Sequence, residues 1–127
     1  MKVLGISGSP RLGGNTDQLL VEAMRGARQR GAETKTLYVC DMDIRPCHHC
    51  AFCYSTGECK TADDMITFYE ELEQADRLII ASPLHFMSVT AQLKALIDRG
   101  QSRWARKFLL KVPPMWDSRE RKALFLC

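Results

Sequence analysis

The sequence predicts an α/β fold: a doubly wound parallel sheet in three αβα layers. Three observations carry this expectation. Short apolar runs alternate with stretches of helical periodicity, as strand–helix–strand crossovers require. The first apolar run leads straight into a glycine-rich loop and then a helix. The run Leu78–Ala81 is almost continuously apolar, as strands buried on both faces are.

The elements follow in order. Lys2–Ser7 reads as a buried strand. Asn15 or Thr16 is placed to cap a helix on which Leu19, Leu20, Ala23, Met24 and Ala27 share a face. Gly31 ends that helix, and Glu33–Val39 forms a second strand. Asp63 or Asp64 caps the next helix, with Met65, Phe68, Tyr69 and Leu72 on one side. Leu78–Ala81 is the third strand, closed by Ser82-Pro83. Val89, Leu93, Leu96 and Ile97 mark a third helical face. Pro113-Pro114 breaks the chain, and Lys122–Cys127 reads as a fourth strand. That strand ends the chain with an apolar edge uncovered, a liability that proteins avoid. The expectation is one domain over residues 1–127, with a cysteine-rich insertion at 40–62. Either a partner subunit covers that edge, or the natural fold continues beyond Cys127; the second is the expectation, so the domain would lack its last helix and strand.

Composition narrows the function. The chain has 127 residues, a net charge of +3, 46% hydrophobic and 26% charged residues, all ordinary for one globular domain. The small charge does not argue for nucleic acid. The basic stretch from Arg99 to Lys111 reads as a solvated helix face. No export signal and no membrane-length apolar run is present, so a cytoplasmic protein without membrane contact is expected. There cysteines stay reduced, which favours metal binding over disulfides.

Two motifs carry chemistry. Gly8-Ser-Pro-Arg-Leu-Gly-Gly-Asn-Thr16 joins the first strand to the first helix. Its glycines let backbone N–H groups turn toward an anion, and the helix N-terminus adds partial positive charge. Ser9, Arg11, Asn15 and Thr16 are candidate phosphate donors. A Walker loop needs Lys before the Ser or Thr, where Asn15 stands, and the glycine spacing does not fit a dinucleotide fingerprint. A monophosphate fits best, with flavin mononucleotide (FMN) the natural candidate.

The second motif is Cys47-His-His-Cys50-Ala-Phe-Cys53-Tyr-Ser-Thr-Gly-Glu-Cys59, which holds four of the six cysteines. Four thiolates can hold an iron–sulfur cluster or zinc, with His48 or His49 able to replace one zinc ligand. Free or oxidised thiols are the plain alternative. Cys40 and Cys127 read as small buried residues. No acid–base dyad or nucleophilic triad is evident, and Asp63 and Asp64 read as caps.

Ser7–Thr16 resembles the flavin-phosphate loop of the NADPH-dependent FMN reductase family, within the flavodoxin-like superfamily. Ser82–Arg99 resembles that family's second flavin loop and the helix after it. The cysteine run followed by Asp63-Asp64-Met65 is similar to the family's iron–sulfur flavoproteins. The resemblance covers essentially the whole chain. It implies a flavodoxin-like fold, with FMN phosphate bound by Ser9, Arg11, Asn15 and Thr16. Pro83, Leu84, His85, Phe86 and Met87 would lie along the ribityl chain and ring. His85 stands where Tyr is common, and Phe86 and Met87 could instead serve the core. Cys47, Cys50, Cys53 and Cys59 would hold a [4Fe–4S] cluster. NAD(P)H would be the co-substrate, and a small molecule or a ferredoxin-type protein the redox partner. A homodimer or homotetramer is implied. Two other functions fit the residues: a zinc-bound interaction module, and a quinone or azo-compound reductase with incidental cysteines.

Overall fold

A computed structural model describes residues 1–112 and 120–127. The expected break at Pro113-Pro114 lies outside the described residues. Strand β1 (Lys2–Ser7) is followed by helix α1 (Asn15–Gln29) and strand β2 (Glu33–Tyr38). A 3-10 turn (Val39–Asp41) opens the cysteine region, which holds the short helix α2 (Phe52–Thr56). Helix α3 (Met65–Gln74) leads into strand β3 (Arg77–Ala81). Helices α4 (Ala91–Arg99) and α5 (Gln101–Trp104) follow, then a π-helical turn (Ala105–Leu109) and strand β4 (Lys122–Leu126).

The strands are parallel in the order β2-β1-β3-β4. Alternation along β1 divides the core. Val3 packs with Leu20, Met24 and Ala32 under α1. Leu4 and Ile6 face the other way, onto Met65, Phe68 and Tyr69 of α3 and Leu93 and Leu96 of α4. Gly5 lies on the α1 side, where a Cβ would come within 3.0 Å of Met24 Sδ. The helices therefore cover both faces, as expected.

Several local expectations are corrected. Gly14, not Asn15 or Thr16, occupies the N-cap of α1, and no side chain caps it. Val39 leaves β2 for the 3-10 turn. Ile97 is exposed, and Val89 precedes α4. Thr90 caps that helix instead, its Oγ1 accepting from Leu93 N at 3.2 Å. The basic stretch is not a solvated face. Arg99 is buried, and Arg103 stacks 3.9 Å from the Tyr69 ring centroid. Cys127 is exposed and Cys40 only half-buried, so neither is an ordinary core residue.

Candidate functional site

In a doubly wound sheet, ligands sit beyond the carboxyl ends of the strands, where neighbouring connections leave in opposite directions. Here β1 has β2 on one side and β3 on the other, so that point lies between β1 and β3. The backbone there is tightly bound. Gly8 N donates to Ala81 O at 2.7 Å, and Thr90 Oγ1 donates to Gly8 O at 2.6 Å. Gly8 sits so close to α4 that a Cβ would lie 2.9 Å from Leu93 Cβ. Only glycine lets strand end and helix start meet this closely.

Over this junction lies an open cleft of about 410 Å³, lined by Ser9, Arg11, Gly14, Asn15, Thr16, Pro83 and His85, with Pro10. Two loops distant in sequence thus converge. The first helical turn of α1 carries N–H groups with no intrahelical acceptor, and no side chain caps them. The Arg11 guanidinium lies over Gly14, where a Cβ would come within 3.2 Å of its Nε. Ser9 is buried, and its Oγ donates to Arg11 O at 2.8 Å while accepting from Arg11 N. Its hydroxyl thus shapes the loop in which the donors stand.

Asp17, buried in the first turn of α1, was not singled out by the sequence. One carboxylate oxygen accepts from Ser7 Oγ, and the other from Gly13 N at 2.8 Å. It ties the loop to β1 from beneath. An acidic residue in a first helical turn is common enough that only the fold gives this one a distinct role.

Leu84, Phe86 and Met87 do not line the cleft. Phe86 and Met87 are fully exposed, so neither is a core residue. They form the tip of a tight turn in which the backbone N–H groups of His85 and Ser88 each donate to the other's carbonyl. Both tip residues have positive φ, 46° and 64°. Such a turn favours Asn and Gly. Holding a large aromatic and a Met there costs energy and projects both outward.

The cysteine loop is built differently. Cys47, Cys50, Cys53 and Cys59 all line one small cavity of about 30 Å³, with His49, Lys60, Arg99 and Ser102 among its other walls. His49 and Ala51 adopt left-handed backbone conformations at φ 54° and 59°. All six cysteines are free. Burial pushes the Cys53 thiol up, and the neighbouring Cys59, Cys47 and Cys50 add to it. Among the described residues, no three His, Cys, Asp or Glu side chains close on one point as a single metal ion needs.

Asp64 holds the N-cap position of α3 without a side-chain cap bond, and Asp63 is the carboxylate that meets the helix start. Asp64 Oδ2 accepts from Asp43 N at 2.7 Å. Asp63 Oδ1 accepts from Met65 N, while the same carboxylate chelates Arg99, with Nη2 donating to Oδ1 at 3.0 Å. Both side chains are essentially inaccessible, at 0% and 2%. Burial pushes the Asp63 carboxyl up, but hydrogen bonds from Arg99, Arg45 N and Met65 N bring it below its usual value.

The fold and cleft define an α/β protein with an open cleft at its sheet switch point. The sequence model of the NADPH-dependent FMN reductases matches residues 1–113, and the chain belongs to that family. An iron–sulfur flavoprotein of Methanosarcina thermophila is 40% identical over 111 residues, covering 87% of this chain and 58% of that protein. Another, from Methanocaldococcus jannaschii, is 42% identical over 101 residues, covering 80% and 52%. The chain thus spans somewhat over half the length of these relatives. Among solved structures, a flavone reductase superposes with a TM-score of 0.69 at 20% identity, covering 98% of this chain and 43% of its own. That likeness supports the flavodoxin-like fold.

Proposed function

We propose that this chain is the FMN-binding part of an NAD(P)H-dependent redox flavoprotein whose cysteine loop carries a [4Fe–4S] cluster. The carrying observation is the cleft at the β1–β3 switch point, where the glycine-rich loop meets the segment after β3. Uncapped helix N–H groups and a nearby guanidinium fit a phosphate dianion. Arg11, Asn15 and Thr16 would bind the phosphate, with Ser9 holding the loop in shape. Pro83 and His85 would border the rest of the ligand. Leu84, Phe86 and Met87 would meet the flavin or a neighbouring subunit only from their exposed positions. That exposure supports assembly as a homodimer or homotetramer.

The donor set also supports the cluster. All four cysteines line one cavity, as a four-thiolate centre needs. The relatives named iron–sulfur flavoproteins favour the cluster over the zinc-module reading.

Bound FMN would accept two electrons from a reduced nicotinamide and release them singly, and the cysteine site would relay them to a small-molecule or ferredoxin-type acceptor. The chain's own residues bind and orient. Asp17 fixes the phosphate loop, and the Gly8–Ala81 and Thr90–Gly8 contacts fix the cleft floor.

An anaerobic absorption spectrum of the reconstituted protein, with iron, zinc and flavin counts, tests this reading. Flavin bands and a broad iron–sulfur shoulder are expected. Colourless protein with no flavin and no iron refutes it. Arg11→Gln and Thr16→Val should each weaken FMN binding, and unchanged affinity in both would remove the phosphate assignment.

A further inference from the structure

We propose that Arg99 is a positioning residue of the cysteine site, held by Asp63 so that its charge and one remaining N–H act on the thiol cluster and raise its reduction potential. This rests on the reading above that the four cysteines carry a [4Fe–4S] cluster.

The argument begins with satisfaction of the guanidinium. Nη1 donates to Arg45 O at 2.8 Å and to Asp63, and Nη2 donates to Thr61 O at 3.2 Å and to Asp63. Nε is buried and has no hydrogen-bond partner. The Nε atoms of Arg103 and Arg106 are in the same state, but of the three only Arg99 lines the cysteine cavity. Arg99 lines the same cavity as Cys47, Cys50, Cys53 and Cys59. The unpaired donor therefore belongs to a side chain that borders the thiol site.

A loop staple alone does not account for this arrangement. Buried ion pairs are poor stabilisers, because desolvation offsets their attraction. The fork also grips both flanks of the cysteine loop, through Arg45 O before it and Thr61 O and Asp63 after it. The charge is thus fixed relative to the thiols. A fixed cation on the wall of the cysteine cavity favours the form of the centre holding one more electron.

The test compares wild type, Arg99→Gln, Arg99→Lys and Asp63→Asn, each reconstituted anaerobically with iron and sulfide. Iron per chain is counted, and the midpoint potential is read by redox titration followed by electron paramagnetic resonance. Arg99→Gln should lower the reduced-to-oxidised ratio at fixed potential about tenfold, a shift of about 59 mV for one electron. Asp63→Asn leaves the cation uncompensated and should shift the midpoint upward. Arg99→Lys keeps the charge and should stay nearer wild type than Arg99→Gln. Iron-loaded Arg99→Gln and Asp63→Asn with wild-type midpoints would overturn the proposal. If Arg99→Gln takes up no iron, the sign in Asp63→Asn decides: an upward shift supports the proposal, and any other result overturns it. Loss of iron in all three variants, with wild type loaded, assigns the pair a purely structural role and also overturns it. Wild type that binds no iron removes the cluster reading itself.

Discussion

The phosphate cleft and the cysteine loop are both irregular segments that follow a strand, yet they are held differently. The cleft spreads its hold over several short ties: Gly8 N bonds Ala81 O, Thr90 Oγ1 bonds Gly8 O, and Asp17 accepts from Ser7 Oγ and Gly13 N. The cysteine loop rests on side chains. One buried guanidinium bonds two carbonyls and a carboxylate, and non-glycine residues occupy left-handed conformations. The cleft's hold is divided among several residues, whereas much of the cysteine loop's hold passes through the single Arg99–Asp63 pair.

Breaking the pair gives the largest expected effect. Asp63→Ala leaves a buried cation uncompensated and should cost about 3–5 kcal/mol, read by urea unfolding at pH 7. The carboxyl's folded pKa is depressed, so its contribution is present above the ordinary value of about 4 and is lost as pH falls through the depressed value. Wild type should therefore lose unfolding free energy at low pH along a limb that Asp63→Asn lacks.

Gly8→Ala attacks the cleft. Its Cβ would meet Leu93, a fully buried residue, so overpacking should cost about 1–3 kcal/mol and lower FMN affinity together with stability. A variant with wild-type melting and wild-type affinity would show that the junction relaxes freely. Asp17→Asn should weaken the hold on Ser7 and Gly13, at about 1–3 kcal/mol by thermal melting, and should loosen FMN binding. Ala51→Gly should go the other way. Glycine accepts the φ of 59° without strain, so the apoprotein should gain up to about 1 kcal/mol. The smallest effect is the control: Arg25→Ala removes a fully solvated pair with Glu22 and should leave the melting temperature unchanged.

Periodicity made the sheet, the helices and the core of α3 legible, because burial on a regular element imprints spacing on the sequence. The glycine-rich loop was equally legible, since its backbone geometry restricts residue type. The N-cap at Gly14 was not, because Asn15 and Thr16 are good caps in isolation and the loop's path overrode them. Arg99 was misread as part of a basic face. Its partner stands 36 residues earlier, a pairing no local pattern encodes. Phe86 and Met87 could have served the core, and instead the turn between His85 and Ser88 leaves both exposed.

The central place of β1 has a consequence in time. It is made before either of its neighbours, and Lys2 N finds its acceptor, Asp76 Oδ2, 74 residues later. At the ribosome's pace of about 5–20 residues per second, roughly 4–15 seconds pass before that neighbour exists. For that interval β1 can pair only with β2, leaving its other edge open. The nascent chain is thus most vulnerable to wrong pairing before β3 leaves the exit tunnel.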